Sequence, residues 1–513
     1  MKYPIGIQNF ESLRKDGYTY VDKTAMIHQL ASQGRYYFLS RPRRFGKSLL
    51  LSTLEAYFAG KRGLFRGLAV EKLEKDWTAF PILHLDLNTD DYQHGNVLGQ
   101  RLNLVLSQWE KLYGKEAGEA TFSQRFEGVI RRAAEKTGRR VVILVDEYDK
   151  PLLQTLDNKA LQAEYRSTLK AFYSVLKSQD QYIRFALLTG VTKFGKVSVF
   201  SDLNNLFDLS MDERYQSLCG ITEEEIHAYF GESVRELAGR LGLTVEETLA
   251  RLREQYDGYH FVENGVGIYN PFSLLNTFQR LRFGSYWFET GTPTYLVELL
   301  QRDDYVLPNL TEEVATADVL NSIDSFSSNP IPVIYQSGYL TIKGYDPEFG
   351  EYRLGFPNKE VEEGFTRFLL PFYMGAERST PFSVANFVRS LRAGRPDDFM
   401  RLMAAMLSDT DYRIVGDSEL YFQNAFYLVS KMLGFYTQVE RVTSDGRMDM
   451  VIGTHGYLYI IEFKLDGSAD AALRQIDGKD YAAPFAVDGR KLYRIGVNFS
   501  LDRRCIEEWK IGE

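Results

Sequence analysis

Gly46, Lys47 and Ser48 form a tripeptide that can bind the phosphates of a nucleotide. An apolar, strand-like run at 36–39 precedes them, and a helix-like run begins at Leu49. Strand, turn, Gly-Lys-Ser and helix together are typical of a phosphate-binding P-loop, because a helix start offers free N–H groups to phosphates. We predict that Gly46 and Leu49 border a nucleotide, that Lys47 reaches its β- and γ-phosphates, and that Ser48 binds Mg²⁺.

The loop before this tripeptide departs from the usual pattern. Arg41 stands where a glycine normally opens a P-loop, and Pro42, Arg43 and Arg44 fill the space that follows. We assign Arg44 to the nucleotide site as well. An ordinary strand-to-helix turn with a basic surface would also explain these residues, since short motifs recur by chance.

Two acids end another apolar strand. The run 141–145 is continuous and β-branched, as in a buried parallel strand, and Asp146 and Glu147 follow it. We predict that Asp146 orders the Mg²⁺ shell and that Glu147 polarises the attacking water. Thr189 ends a fourth strand, 182–190, where P-loop ATPases of the extra-strand class sense the γ-phosphate. A solvated strand end remains the alternative for these acids, and a plain strand terminus for Thr189.

The last hundred residues carry a different chemistry. Asp449 lies on one strand of a predicted hairpin, and Glu462 and Lys464 lie on the other. Glu462 and Lys464 share a face because side chains alternate along a strand. Asp449 and Glu462 supply the hard oxygens that Mg²⁺ or Mn²⁺ prefers, Lys464 can activate water, and Gln475 on a following helix can orient substrate. An exposed hairpin with ordinary Glu/Lys alternation is the competing explanation.

The order of predicted strands and helices along the chain indicates an α/β protein. Strands alternate with helices up to about residue 220, which predicts a parallel, doubly wound P-loop NTPase core. A helical lid, a mixed middle region and a domain with a metal-dependent nuclease fold follow. The expected domain bounds are 1–220, 221–282, 283–411 and 412–513.

Composition sets the class of protein. The 513 residues are 44% apolar and 25% charged, as in a globular protein, and the net charge of −8 neither marks nor excludes a nucleic-acid binder. Cys219 and Cys505 are the two cysteines, which fits a reducing cytosol. The N-terminus lacks a signal-peptide core and no apolar run approaches membrane-spanning length, so we expect a cytoplasmic protein.

Several motifs together carry a family resemblance. They are Tyr20–Thr24, Arg41–Ser48, Asp146–Asp149, Asn270–Ser273 and Gly446–Asp449. Over nearly its whole length the chain resembles bacterial AAA-ATPase-like proteins fused to a C-terminal PD-(D/E)XK nuclease superfamily domain, and the basic P-loop looks like that family's own variant.

The resemblance implies a C-terminal restriction-endonuclease-like α/β domain and roles for its residues. Asp449, Glu462 and Lys464 take the nuclease motif positions, Gln475 takes the helical position, and Glu440 is a candidate extra acid. The proline of the family motif is absent because a methionine precedes Asp449. That proline carries no catalytic group, so its absence does not put activity in doubt.

Three functions are compatible with these patterns. The leading hypothesis is an ATP-dependent enzyme that processes nucleic acid, with DNA favoured, in defence against foreign DNA or in mobile-element biology. The second is a nucleotide-sensing switch or assembly module whose nuclease fold is inactive and serves for binding, a reading motivated by the crowded loop at Arg41. The third is a kinase-like phosphotransferase, which the acid pair Asp146-Glu147 disfavours. Oligomerisation stays open, and the sequence assigns no arginine finger.

Overall fold

The computed structural model describes most of the chain. The described residues are 1–193, 200, 206–288, 296, 300, 305, 307, 310, 313–321, 329–373, 384–408, 418–434, 438–444, 447–479, 485, 489–500, 502–503 and 505–512. Within these ranges, side chains are not described at 371, 373, 408, 418–423, 426, 438–444 and 447–449. Gly446 of the nuclease-like motif lies outside the described residues.

Two compact units make up the chain. The first comprises 1–291 and 312–360, and the second comprises 292–311 and 361–513. The predicted middle region, 283–411, therefore contributes to both units. The predicted bounds of the core, the lid and the nuclease-like domain stay predictions.

The described part of the chain contains both strands and helices throughout. The strands are β1 Tyr36–Ser40, β2 Ile82–Asp86, β3 Val141–Asp146, β4 Ile183–Gly190, β5 Phe207–Asp208, β6 Ile221–Thr222, β7 Ile268–Tyr269, β8 Val314–Thr316, β9 Thr341–Asp346, β10 Glu351–Gly355, β11 Gln438–Ser444, β12 Arg447–Gly453, β13 Tyr457–Leu465, β14 Lys491–Ser500 and β15 Cys505–Gly512. The helices are Phe10–Lys15, Thr24–Gln33, Lys47–Phe58, Val70–Leu73, Val97–Tyr113, Phe122–Thr137, Lys150–Leu153, Lys159–Ser178, Glu223–Leu241, Val245–Tyr256, Pro271–Arg280, Ala317–Asn321, Ile331–Gln336, Lys359–Tyr373, Val384–Arg392, Pro396–Ser408, Ser418–Gly434 and Ala469–Gly478.

A five-stranded parallel sheet forms the centre of the first unit. Its order is β2-β3-β4-β1-β5, and every neighbouring pair is parallel. β4 therefore lies between the P-loop strand β1 and the acid-bearing strand β3. The register pairs Ser40 with Gly190 and Asp86 with Asp146, so the polar strand ends meet at one edge. In an open α/β sheet this carboxyl edge is where ligands bind.

Burial explains why these strands form. Every residue of β1 and of β3 is buried, as expected for strands covered on both faces. Each fully buried Val, Leu or Ile side chain contributes about 1.5–3 kcal/mol. Helices Val97–Tyr113 and Phe122–Thr137 are separate, because Gly114 takes a positive φ of 93° after the first and Thr121 caps the second with a capping box.

The lid that follows the core is helical, as predicted. Thr222 and Glu225 form a capping box at the start of helix Glu223–Leu241. Asn270 caps the helix that begins at Pro271, accepting from the N–H groups of Phe272 and Ser273. The lid helices share an apolar cluster with the N-terminal segment, into which Tyr3 is packed.

The second unit is built on a mixed sheet of order β11-β12-β13-β14-β15. β13 and β14 are parallel, whereas the other three pairs are antiparallel. The hairpin predicted around 453–456 is present as β12 and β13. Helix Ala469–Gly478, called here the site helix, follows β13 and packs against β13 and β14. Across the described part of the chain, no helix combines the length and apolarity that a membrane span requires.

Candidate nucleotide and nuclease sites

The P-loop turns directly into a helix. Gly46 has a φ of 94°, a conformation that costs glycine little, and helix Lys47–Phe58 begins at the next residue. Ser48 and Leu49 are half-buried in the first helical turn. The free N–H groups of that turn and its positive dipole end make an anion site.

Lys47 is held inside the loop. Its Nζ donates to the carbonyl oxygens of Arg41 at 3.0 Å and of Pro42 at 3.2 Å, and the residue is 5% exposed. The ammonium group therefore lies within the turn that would surround a phosphate, and its contact with the β- and γ-phosphates stays a prediction.

The arginine that replaces the first glycine turns inward. Arg41 is 1% exposed, and its guanidinium donates to the carbonyl oxygens of Ser40 at 3.0 Å and Ser210 at 2.8 Å. Its carbon lies 3.9 Å from the centre of the Phe261 ring, a cation–π contact. Its side chain consequently fastens the loop to neighbouring segments.

The acid that ends β3 is oriented by the strand beside it. The Thr189 hydroxyl donates to Asp146 Oδ1 at 2.7 Å, and both residues are buried. The second carboxylate oxygen of Asp146 has no hydrogen bond in the described part of the chain. Thr189 therefore acts on Asp146, and its role as a γ-phosphate sensor stays a prediction.

Glu147 lies beside the loop in a strained backbone conformation. Its φ is 50°, which is uncommon for a non-glycine residue. Burial raises the pKa of its carboxyl, and the positive charges of Lys47 and Arg43 act in the opposite direction. Strain and a raised pKa often mark functional positions, so Glu147 fits the general-base role.

Asp149 is a residue of this site that sequence reasoning passed over. It is 1% exposed and accepts from the Thr192 N–H at 2.6 Å, from the Thr192 hydroxyl at 2.7 Å and from the Val191 N–H at 3.1 Å. These bonds join the end of β3 to the end of β4. The second aspartate of the Asp-Glu-Tyr-Asp run was the available signal.

An apolar cavity of about 640 Å³, including its open mouth, adjoins the P-loop. Its walls come from the N-terminal segment, from the P-loop helix and from the lid, and include Tyr20, Leu49, Cys219 and Leu275. Lys23 also borders it and forms an ion pair with Glu225 of the lid. The cavity has a mainly apolar lining, as is common in small-molecule sites.

The second unit brings three predicted residues together. Lys464 Nζ lies 3.0 Å from Glu462 Oε1 and also contacts Gln475 Oε1. Glu462 is fully buried, whereas the Lys464 side chain is 20% exposed. Glu462 and Lys464 share one face of β13, and the site helix delivers Gln475 to it.

The backbone register adds the predicted acids. Asp449 pairs directly with Glu462, and Glu440 pairs with Val451, two positions along β12 from Asp449. Residues directly opposite each other in an antiparallel pair lie on one face of the sheet. Glu440, Asp449 and Glu462 therefore occupy positions on the same face.

Gly496 and Asn498 were not predicted. Gly496 pairs with Glu462, and a Cβ there would lie 2.2 Å from the carbonyl oxygen of Ala469, so the site helix needs a glycine beneath it. Asn498 pairs with Lys464 and accepts from the Gly467 N–H at 2.8 Å, which shapes the turn into that helix. Both needs arise from packing, which local sequence patterns do not report.

The donor groups at the two candidate sites indicate which of them could hold a metal ion. Among the side chains that the structure describes, no group of three or more His, Cys, Asp or Glu could hold a metal ion. Ser48 and Asp146 offer a hydroxyl and a carboxylate, the oxygen donors that Mg²⁺ takes beside nucleotide phosphates. The side chain of Asp449 is not described, so its carboxylate is not among these groups.

Models of two known protein families match the two ends of the chain. A family model described as a predicted AAA-ATPase matches residues 4–200, and a model of the PD-(D/E)XK nuclease superfamily matches 417–509. The uncharacterized protein in the vnfD 5' region of Azotobacter chroococcum mcd 1 is 38% identical over 517 residues, covering 98% of each chain.

A solved structure gives a weaker likeness. The Aeropyrum pernix ORC2 protein, in its ADPNP-ADP complexes, shares 10% identity, with 65% of this chain and 88% of that chain covered. The TM-score of 0.23 is too low to carry an argument. From the two family models and the full-length relative, we conclude that the chain belongs to the family of AAA-ATPase-like proteins with a C-terminal PD-(D/E)XK nuclease superfamily domain.

Proposed function

We propose that the protein binds and hydrolyses ATP and that this reaction gates a metal-dependent nuclease in its second unit, with DNA as the favoured substrate. The observation that carries the proposal is the presence of two assembled sites in one chain. Thr189 orients Asp146 beside the P-loop, and Lys464 joins Glu462 to Gln475 in the other unit.

ATP binding follows from the P-loop and the adjoining cavity. The adenine base enters the apolar cavity bordered by Leu49, while Gly46 and the N–H groups at the helix start receive the phosphates. Lys47 then exchanges two loop carbonyls for β- and γ-phosphate oxygens. Arg44, whose guanidinium lies 5.0 Å from the Phe272 ring, joins the P-loop to the lid.

Hydrolysis uses the acids at the end of β3. Ser48 and Asp146 would hold Mg²⁺, which neutralises phosphate charge when bound. Thr189 keeps the Asp146 carboxylate oriented. Glu147 accepts a proton from the attacking water.

Phosphodiester cleavage uses the second site. Asp449 and Glu462 would hold Mg²⁺ or Mn²⁺, which supplies electrophilic stabilisation when bound. Lys464 stabilises charge on the reacting phosphate, and Gln475 positions the lysine through its amide oxygen. The buried Glu462 and the partly exposed Lys464 suit a site that opens to a polymer.

We place the protein in the cytoplasm. Cys219 and Cys505 are both free thiols, which fits a reducing compartment.

The two activities separate by mutation. Lys47→Ala should abolish ATP hydrolysis, whereas Lys464→Ala should abolish cleavage of circular and linear DNA in Mg²⁺ or Mn²⁺ and spare ATP turnover. Full ATP hydrolysis by Lys47→Ala would refute the P-loop assignment. Unaltered cleavage by Lys464→Ala would place the nuclease site elsewhere.

One argument for the nucleotide-sensing switch is weakened by the structure of the P-loop. That hypothesis depended on crowding of the P-loop by Arg41, but the Arg41 side chain is buried against the carbonyls of Ser40 and Ser210. If the purified protein binds ATP and cleaves neither DNA nor RNA, the switch is the function that we would infer instead.

A further inference from the structure

The P-loop holds three arginines, and two of them have evident structural partners. Arg41 is buried and donates to backbone carbonyls, as described above. Arg44 adopts a left-handed φ of 67° and places its guanidinium over the ring of Phe272 in the lid. These two residues shape the loop and its contact with the lid.

Arg43 differs from its neighbours. Its side chain is exposed, and its guanidinium has no hydrogen bond or ion pair in the described part of the chain. Its main chain is nevertheless fixed, because the Trp287 indole N–H donates to the Arg43 carbonyl oxygen at 3.0 Å. Trp287 is 6% exposed, and its backbone N–H donates to Glu360 Oε1 at 2.8 Å. An anchored backbone therefore presents a cationic side chain that is available to a ligand.

Arg43 belongs to the same turn as the phosphate-binding lysine. Lys47 Nζ donates to the carbonyl oxygens of Arg41 and Pro42, the two residues that directly precede Arg43. The backbone of Arg43 therefore forms part of the turn that would surround the phosphates, four residues before Lys47. The γ-phosphate of bound ATP would lie at this turn, where charge develops during transfer.

We propose that Arg43 is a catalytic residue supplied in cis, whose guanidinium stabilises the γ-phosphate of ATP during transfer to water; this rests on the proposed ATP hydrolysis. The water oxygen bonds to the γ-phosphorus, and the bond from phosphorus to the β–γ bridging oxygen breaks with its electron pair going to ADP. The water proton passes to the Glu147 carboxylate. Arg43 meets the negative charge on the transferred group, so no arginine from a second copy is required.

The first test separates catalysis from binding. Arg43→Ala should lower kcat for ATP hydrolysis by about 10³-fold, the effect of losing an arginine finger, while ATP affinity changes far less. It should also fail to trap ADP with aluminium fluoride, a mimic of the transferring phosphoryl group, which the unaltered protein traps. Arg62→Ala, at an exposed position outside the P-loop, is the matched control and should retain full activity.

A mixing experiment tests whether the arginine acts in cis. Lys47→Ala retains Arg43 but lacks the phosphate-binding lysine, whereas Arg43→Ala retains that lysine. A mixture of the two variants should stay inactive. Restored hydrolysis would show that one copy supplies the arginine to another and would overturn the proposal.

The remaining outcomes are also decisive. Unchanged kcat in Arg43→Ala, or an equal loss of ATP binding and turnover, would overturn the catalytic role of Arg43 and leave the proposed ATPase intact. Absence of hydrolysis in the unaltered protein would instead refute the proposed function and the role of Arg43 with it.

Discussion

At the residue scale, the nucleotide site is a set of polar groups that orient one another. Thr189 fixes Asp146 through a hydroxyl, and Asp149 ties β3 to β4 through three hydrogen bonds. Buried hydrogen bonds to a carboxylate contribute about 1.5–3 kcal/mol each. The acids therefore keep one geometry before any ligand arrives, which is the preorganisation that phosphoryl transfer requires.

Thr189→Val should lower ATP hydrolysis by about 10–100-fold, the usual cost of losing an orienting partner of a metal ligand. The valine keeps the shape of the side chain and removes the hydroxyl that donates to Asp146. Thr189→Ser keeps the hydroxyl and is the matched control. Steady-state turnover at several Mg²⁺ concentrations measures the effect, and equal rates in the two variants would exclude a positioning role for Thr189.

The raised pKa of Glu147 predicts a pH dependence of hydrolysis. A general base must be ionised, so kcat should fall as the pH drops through the pKa of this carboxyl. Because burial raises that pKa, the fall should begin above the ordinary glutamate value of 4.5. Glu147→Gln should remove the acidic limb and lower kcat by about 10²–10⁴-fold.

The control for this pH profile is Glu246→Gln, which alters an exposed glutamate of the lid and should preserve the limb. A limb at or below pH 4.5 would contradict the assignment of Glu147 as the base.

At the element scale, close packing sets the nuclease-like site. The site helix crosses β14 at Gly496, where its backbone leaves no room for a Cβ atom. This approach lets Gln475 reach Lys464. The nuclease-like site thus depends on a helix that lies so close to β14 that only a glycine fits at position 496.

Gly496→Ala should displace the site helix, lower the stability of the second unit by about 1–3 kcal/mol and reduce DNA cleavage while ATP hydrolysis continues. Gly456→Ala is the matched control, because a Cβ at that glycine meets open space. Urea unfolding and cleavage assays of both variants measure the difference. Equal stability and cleavage in the two variants would show that the close approach does not matter.

At the scale of the whole molecule, the sequence was informative where function depends on local spacing. Gly46-Lys47-Ser48 and the Glu462-x-Lys464 pair are each readable within a few residues, and the structure places each in the expected kind of element. The anchor of Arg43 is different in kind. Its partner, Trp287, lies 244 residues away, and only the folded chain brings the two together.

The same reasoning explains the other omissions. Asp149 bonds to groups more than 40 residues distant, and the need for glycine at 496 depends on how a helix crosses a strand. Such requirements come from tertiary packing, whereas hydrophobic periodicity reports only which face of an element is buried.

The central claim is that nucleotide at the P-loop governs cleavage in the second unit. The most direct measurement is the initial rate of cleavage of circular DNA in Mg²⁺ without nucleotide, with ADP and with ATP, for the unaltered protein and for Lys47→Ala. We expect the rate of the unaltered protein to change at least several-fold between ADP and ATP, and the Lys47→Ala rate to ignore both nucleotides. Cleavage that is lost in Lys464→Ala but is the same in all nucleotide states would contradict the claim and leave two independent enzymes in one chain.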